Sequence, residues 1–289
     1  LMKFLTNKGF IGIIILVIIG AVSTAFLGKY SLSFDAKTIT QLAVGVTLVP
    51  GLLWLLFFYL EDKYEKEPIS LLLGIFVAGG VAAYAIAKPL TSILMPEVAI
   101  LEQSLLGNFV NQFLIEACIE MLTIFMIVRY TVYFSDEFNE PADGLIYSIA
   151  AGLGFAATYN ILYISGLNAI NPGVVLSRMI SFYLVIAIFS GIMGYFIGIA
   201  KFSEKGNAYK EFLMLIGFLI AVLLNAVFFT LLQEIQGMSY NVWKELIISS
   251  GVVIILYILM YALLSKSVEA SPFKEAPLVN ESDNNNTNQ

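Results

Sequence analysis

The sequence predicts an all-α protein, a polytopic transmembrane helical bundle of about eight helices. Apolar residues make up 59% of the chain and charged residues only 12%, with a mean hydropathy of +0.88. A soluble globular domain carries about 25% charged residues, so this chain has too few charges to cover a surface that faces water. Long apolar stretches recur throughout the 289 residues. They lack the alternation of polar and apolar residues that is typical of strands in a membrane barrel.

Eight apolar stretches are long enough to span, since a spanning helix needs roughly 20 mainly apolar residues. They cover residues 10–28, 42–60, 71–95, 109–134, 144–167, 175–200, 211–235 and 247–265. We divide the chain into four parts on this basis. These are an extra N-terminal helix and loop (1–41), a membrane core (42–235), a C-terminal transmembrane helix (236–268) and a polar tail (269–289) that we expect to be disordered.

The distribution of Lys and Arg predicts the orientation, because these residues concentrate in cytoplasmic loops. With eight crossings and the N-terminus inside, ten of them fall on the cytoplasmic side and four on the other. The first set is Lys3, Lys8, Lys63, Lys66, Arg129, Lys201, Lys205, Lys210, Lys266 and Lys274; the second is Lys29, Lys37, Arg178 and Lys244. We therefore expect both termini in the cytoplasm.

The chain contains no histidine and one cysteine, Cys118. The absence of histidine excludes imidazole metal ligands, Ser/His and Cys/His nucleophile pairs, and proton shuttles based on histidine. A single cysteine excludes an intrachain disulfide. We expect no cofactor and no metal. The expected partners are membrane lipid and other membrane proteins or a membrane complex, and not nucleic acid.

Glu116 and Glu120 are the most informative polar residues, because ionisable groups inside a bilayer are costly and are often functional. Their spacing of four residues places both on one face of the fourth helix, well inside the membrane. Two close carboxylates in a medium of low dielectric do not both ionise, so we expect at least one to be protonated. The pair is either a proton-handling or catalytic site, or a hydrogen-bonded link between helices.

Other polar residues within the apolar stretches are interpreted as structural. Asn160 and Asn225 are expected to form hydrogen bonds between helices. Arg178 can extend to the interface as an anchor, and Asp143 completes this predicted polar core. A face of small residues in the fifth stretch, which lets helix backbones approach closely, is formed by Gly152, Gly154, Ala156 and Ala157.

Several motifs occur in an order that resembles a known family. The series is Pro50-Gly51, Asp62-Lys63-Tyr64-Glu65-Lys66-Glu67-Pro68, Phe76 with Gly79, Phe138, Asp143-Gly144-Leu145-Ile146-Tyr147, Gly152-Leu153-Gly154-Phe155-Ala156, Asn160-Ile161-Leu162-Tyr163, and Gly194-Tyr195 with Gly198. This series is similar to that of the PrsW family of bacterial intramembrane proteases, over roughly residues 42–235. The resemblance implies a core like that of the CAAX-prenyl proteases and a multi-pass protein of the bacterial inner (cytoplasmic) membrane.

The resemblance also implies a catalytic set. The family signature has Glu-Glu-x-x-Lys in the fourth helix, Glu-Asn after the Gly-x-Gly-Phe-Ala motif, and one His in each of the next two helices. Such carboxylates and imidazoles would position and activate a water molecule for attack on an amide. Family members cleave substrates such as anti-sigma factors within or beside the membrane.

The chain departs from the family at the first of these motifs. Glu120 remains as one member of the glutamate pair, but its neighbours are Ile119 and Met121. The lysine position falls on Thr123 or Ile124, depending on the alignment.

The remaining catalytic positions are also changed. Tyr159 replaces the glutamate of Glu-Asn, although Asn160 is retained, and the two histidine positions fall on Ile186 and Asn225. An isoleucine cannot transfer a proton, and a tyrosine hydroxyl, with an ordinary pKa of about 10, is a poor base at neutral pH. Motifs of the scaffold are therefore present while most catalytic groups are absent.

These observations favour a pseudoprotease, which keeps the fold and serves as a scaffold or subunit that binds other membrane proteins. One alternative is an active protease that uses Glu116 and Glu120 as a carboxylate pair sharing a proton. Another is a transporter, channel or lipid-binding protein in which Glu116, Glu120 and Lys88 line a polar path.

Overall fold

The computed structural model describes residues 8–61, 66–98, 104–237 and 242–272. Ten α-helices occur in these ranges: α1 (Lys8–Leu27), α2 (Ala36–Glu61), α3 (Ile69–Ala82), α4 (Lys88–Val98), α5 (Leu105–Asn111), α6 (Cys118–Thr131), α7 (Pro141–Ser165), α8 (Pro172–Lys201), α9 (Asn207–Gly237) and α10 (Val242–Glu269). A first π-helical turn (Ala83–Ala87) joins α3 to α4, and a second (Gln112–Ala117) joins α5 to α6.

The all-α, polytopic membrane architecture predicted from the sequence is confirmed. Among the described residues, six helices are long and apolar enough to cross a bilayer: Ala36–Glu61, Ile69–Met95, Pro141–Ser165, Pro172–Lys201, Asn207–Glu234 and Ser250–Glu269. The other two predicted stretches are also helical. The first corresponds to α1, and the fourth to the continuous helix from α5 to α6 that carries the two glutamates.

Helices α7 and α8 form the centre of the bundle. Buried residues make up 78% of the apolar window in α7 and 83% in α8, against 28–44% in the other four candidate spans. Helices α2 and α3 pack against α7, while α1, α9 and α10 pack against α8. The peripheral helices therefore present their apolar faces outward, as expected where lipid replaces water as the solvent.

Glycines set the close contacts of α7 with its neighbours. A Cβ atom on Gly154 would lie 1.8 Å from the carbonyl oxygen of Phe76 in α3, and one on Gly194 of α8 would lie 2.2 Å from the carbonyl oxygen of Gly144. Only glycine allows backbones to approach this closely. The predicted small-residue face is thus divided between two partners, because Gly152 meets Ser190 of α8 rather than α3.

The helix ends meet at two separate faces. At one face, the loop after α1 pairs with the loop before α8 through an isolated bridge between Leu32 and Ile170. At the other, Glu67 before α3 accepts a hydrogen bond from Tyr147 of α7, and Ser271 after α10 donates to Glu140 before α7. Helix ends divided in this way between two faces are expected when successive helices run in alternating directions.

The first π-helical turn ends at Ala87, two residues before Pro89. Proline lacks a backbone N–H and its ring clashes with the preceding turn of an α-helix. The chain accommodates it by widening that turn, so that the N–H of Lys88 donates to the carbonyl of Ala83, five residues earlier. Short π-helical turns often occur at functional sites, and this one contacts both α6 and α7.

Candidate functional site

Glu120 lies in the first turn of α6, immediately after the second π-helical turn. The π-helical turn packs against α9, and α6 packs against both α7 and α9. Glu116 lies within the π-helical turn, so the two glutamates are not separated by a regular α-helical turn. Both are half-buried, and they are near enough to interact electrostatically. The structure therefore brings the two predicted glutamates together.

The carboxylate of Glu120 is held by an amide. Asn225 of α9 is fully buried, and its Nδ2 donates to Oε2 of Glu120 at 3.2 Å. The expected hydrogen bond between helices is thus present. Oε1 of Glu120 is shielded from solvent and has no hydrogen-bond partner among the described residues.

Two further polar contacts among the described residues join the same two helices. The antiparallel pair formed by α5–α6 and α9 carries a polar contact near each end and one between them. We call these three pairs the polar ladder: Asn108 Nδ2 to Glu234 Oε1 at 2.9 Å, Asn225 Nδ2 to Glu120 Oε2 at 3.2 Å, and Arg129 Nη2 to Glu211 Oε1 at 2.7 Å. The Glu120–Asn225 pair thus has the same chemistry as the outer Glu234–Asn108 pair, which stabilises the packing of the two helices.

Tyr159 of α7 completes the surroundings of the glutamates. It is half-buried, interacts electrostatically with Glu120 and Glu116, and lies beside the side chain of Thr91 in α4. Its ring stacks on Phe155 with a centroid distance of 4.7 Å. Tyr159 therefore lies between two helices. Its side chain is a phenol, so this position supplies no carboxylate that could activate a water molecule.

The other positions that the sequence resemblance relates to a catalytic set are buried or carry a hydroxyl that is already bound. Ile119 and Ile186 are 6% and 0% exposed, so both are packed in the apolar interior. Thr123 is also buried, and its hydroxyl donates to the carbonyl of Ile119 one turn earlier at 2.7 Å. Lys88, which one alternative places on a polar path, is exposed on α4.

The predicted polar core is present but divided. Arg178 donates from Nε to Oδ1 of the fully buried Asn160 at 2.7 Å. Its guanidinium also lies over the rings of Tyr163 and Phe182, 4.0 and 4.3 Å from their centroids. Arg178 therefore links α8 to α7 in addition to any role as an interfacial anchor.

Asp143 belongs to a different cluster at the start of α7. Its Oδ2 accepts hydrogen bonds from the backbone N–H groups of Asn139 and Glu140, both at 2.7 Å. Glu140 and Asp143 form a reciprocal capping box, and Glu67 lies next to Asp143. These contacts give a structural role to the two motifs that contain Glu67 and Asp143.

Sequence reasoning missed the outer contacts of the polar ladder. Asn108 and Glu234 lie near the ends of apolar stretches, where polar residues are normally solvated. In the sequence, Arg129 is indistinguishable from the other charges expected in a cytoplasmic loop, and nothing in it points to Glu211 as a partner. In an antiparallel helix pair, the numbers of two facing residues add up to a nearly constant value. The three pairs of the polar ladder follow this rule, so knowing one pair would point to the other two.

The fold and this site define a polytopic helical membrane protein with a partly buried glutamate at the meeting of three helices. Residues 67–264 match the family model described as PrsW family intramembrane metalloprotease. The chain is 33% identical over 197 residues to Protease PrsW of Geobacillus kaustophilus (strain HTA426), covering 68% of this chain and 82% of that protein. It is 31% identical over 162 residues to Protease PrsW of Bacillus subtilis (strain 168), covering 55% of this chain and 69% of the relative.

The chain therefore belongs to the PrsW family. Because its relatives are bacterial and its fold is multi-pass, it is a protein of a bacterial membrane. No solved structure matches the chain.

The family description includes a metal, and a catalytic metal requires particular ligands. A catalytic zinc ion is typically held by three protein ligands drawn from His, Asp, Glu and Cys. The sequence has no histidine, and the described residues contain no group of three or more His, Cys, Asp or Glu placed to hold a metal ion. Beside Glu120 stands an amide that donates a hydrogen bond. These residues do not fit a catalytic metal.

Proposed function

We propose that the chain is a proteolytically inactive member of the PrsW family that acts as a scaffold or subunit for other membrane proteins. The observation that carries this proposal is the engagement of Glu120. Its carboxylate is bound by Asn225 in the middle of the polar ladder, at a position where the sequence resemblance implies a histidine. An amide side chain neither accepts nor releases a proton at neutral pH, so it cannot serve as a general acid or base.

The rest of the site supports the same conclusion. Hydrolysis of an amide requires a group that removes a proton from water and a group that stabilises the developing charge. Ile119 and Ile186 provide neither, and the hydroxyl of Thr123 is bound to its own helix. By contrast, the glycines that fix the packing of α3, α7 and α8 are retained and in tight contact. The fold is kept while the chemistry is lost.

A scaffold would bind partners through its lipid-facing helices. We propose that the polar ladder and the glycine contacts keep these helices in a fixed arrangement, against which helices of a partner pack. We also propose that the protein lies in the inner (cytoplasmic) membrane with both termini in the cytoplasm. Adding a reporter to each loop in turn, and measuring its accessibility from either side, tests this orientation.

The test of inactivity is a cleavage assay in proteoliposomes. The purified chain is compared with the Protease PrsW of Bacillus subtilis on a membrane-anchored substrate that the relative cleaves. We expect cleavage by the relative and none by this chain. Cleavage by this chain that is lost in Glu120→Gln, but retained in the matched control Glu234→Gln, would overturn the proposal and favour the Glu116/Glu120 protease.

The scaffold role requires its own measurement. The full chain is extracted from its native membrane with a mild detergent, and the mass of the intact complex is measured together with the identity of each bound chain. A complex of fixed stoichiometry with other membrane proteins is the expected result. Extraction as a lone monomer under conditions that preserve known membrane complexes would contradict it.

A further inference from the structure

A pocket of about 760 Å³ lies at one end of the bundle, apart from Glu120 and its neighbours. It is formed where α6 ends, α8 ends and α9 begins. Its charged lining residues are Arg129, Lys201, Lys210, Asp136 and Glu211. The volume is within the range of about 300–1,000 Å³ that is common for small-molecule sites.

The cationic side chains of this pocket form only some of the hydrogen bonds and ion pairs available to them. Arg129 pairs with Glu211 through Nη2, but its buried Nη1 has no hydrogen-bond partner among the described residues. Lys201 and Lys210 donate to backbone carbonyls, at 3.3 Å to Ser135 and 3.0 Å to Lys201 respectively. Within the described part of the chain, neither lysine forms an ion pair.

These groups favour an anion. Among the lining residues, the Arg129–Glu211 pair is neutral, which leaves Lys201 and Lys210 against Asp136, so the lining carries a net positive charge. Lys201 also interacts electrostatically with Asp143, which does not line the pocket. Asn207, the first residue of α9, also lines the pocket, so the N-terminus of a 31-residue helix adds its partial positive charge. Guanidinium, ammonium and helix N–H groups together are the donors that recognise phosphate in proteins.

Aromatic residues place the pocket at the level of lipid headgroups. Lys201 lies 4.4 Å from the ring centroid of Phe138, and Arg129 lies 4.2 Å from that of Tyr133. Phe134, which lines the pocket, and nearby Tyr130 are 74% and 71% exposed. Exposed aromatic rings at a helix end are typical of the membrane–water interface, and basic pockets between helix ends on the cytoplasmic side bind anionic lipid headgroups.

We propose that this pocket binds a phosphate group, with the headgroup of an anionic phospholipid as its source. The lysines would contact the phosphate oxygens, and Arg129 would add the charge of its guanidinium behind them. The exposed aromatic rings would contact the glycerol and upper acyl region. This site is independent of whether the chain cleaves substrates, because it shares no residue with the surroundings of Glu120.

The experiment measures lipid retention by native mass spectrometry of the full chain. Phosphatidylglycerol and phosphatidylcholine are titrated onto the protein, its Lys201→Gln and Lys210→Gln variants, and the control Lys205→Gln. Lys205 is exposed and stacks on Tyr209 at 4.1 Å without lining the pocket, so its substitution removes the same charge from the same loop region. Thermal unfolding of each variant shows whether the fold is retained.

We expect the wild type to retain phosphatidylglycerol in preference to phosphatidylcholine. Each pocket substitution is expected to weaken this retention about fivefold, and the control less than twofold. Equal retention of the two lipids, or an equal effect of Lys205→Gln, would overturn the proposal. A titration with inorganic phosphate in phosphatidylcholine nanodiscs separates the sources. Lys201-dependent binding there would keep the phosphate site but assign it to a soluble ligand, and binding of neither probe would refute the site.

Discussion

The substitution Gly154→Ala tests the contact that fixes α7 against α3. The added Cβ would lie 1.8 Å from the carbonyl oxygen of Phe76, whereas ordinary contacts begin at 3.4 Å. The two backbones must therefore move apart by about 1.6 Å, the difference between these distances, because the obstacle is a main-chain atom that cannot change rotamer. On the same interface, a Cβ atom on Gly79 would lie 2.1 Å from the carbonyl oxygen of Ala151. Moving α3 and α7 apart therefore weakens both close contacts.

Overpacking of this kind costs about 1–3 kcal/mol, and we expect Gly154→Ala to lie near the upper limit. The free energy of unfolding in mixed micelles is the measurement. Gly74→Ala is the matched control, because Gly74 is exposed on α3 and an added Cβ meets nothing within 4 Å. It is expected to change stability by no more than about 1 kcal/mol, on the stabilising side. Equal stabilities for the two variants would refute the close approach of α3 and α7.

Three further substitutions test other contacts. In a double-mutant cycle between Glu120→Gln and Asn225→Leu, we expect a coupling energy of about 0.6–1.7 kcal/mol, typical of hydrogen bonds between membrane helices; additive unfolding energies would contradict the contact. Arg178→Lys should lower the unfolding free energy by about 1–2 kcal/mol, because lysine loses both the bond to Asn160 and the planar stacking, and Arg178→Gln serves to separate charge from geometry. Asp143→Ala should cost about 1–3 kcal/mol, since the partly buried N–H of Asn139 and the buried N–H of Glu140 lose their acceptor; amide hydrogen exchange at those two groups is the direct measurement.

The helices were predictable because hydropathy alone defines them in lipid. Every predicted stretch coincides with a helical region of the structure, with boundaries displaced by a few residues. For example, α7 begins at Pro141 rather than at 144, because Glu140 and Asp143 form a capping box. The stretches 10–28, 109–134 and 144–167 run past the ends of α1, α6 and α7. The π-helical turns could not be predicted, since hydropathy does not report how a helix absorbs Pro89 or where it widens near Glu116.

The site was predictable in its members but not in its contacts. A buried glutamate identifies itself by its cost in lipid, so Glu120 was found from the sequence. Its partner, Asn225, was identified as polar but could not be paired with it, because 105 residues separate them and pairing depends on how α6 and α9 are packed. The Arg178–Asn160 bond has the same origin, since Arg178 has sufficient length to reach either the interface or α7.

Introducing the polar groups that the sequence resemblance implies would be a weaker test of the proposed function than measuring the present chain. A histidine at Ile186 or a glutamate at Ile119 would place a polar group where exposure is 0% and 6%, and an unsatisfied buried polar group costs about 1–3 kcal/mol. A histidine at Asn225 would also disrupt the middle contact of the polar ladder. The restored chain should therefore be less stable than the wild type, so its failure to cleave would not distinguish an unsuitable scaffold from an unfolded one. If the chain with these substitutions were as stable as the wild type, the space around Glu120 would accommodate the polar groups together with water. The proposal of inactivity would then depend only on which side chains the present sequence has there.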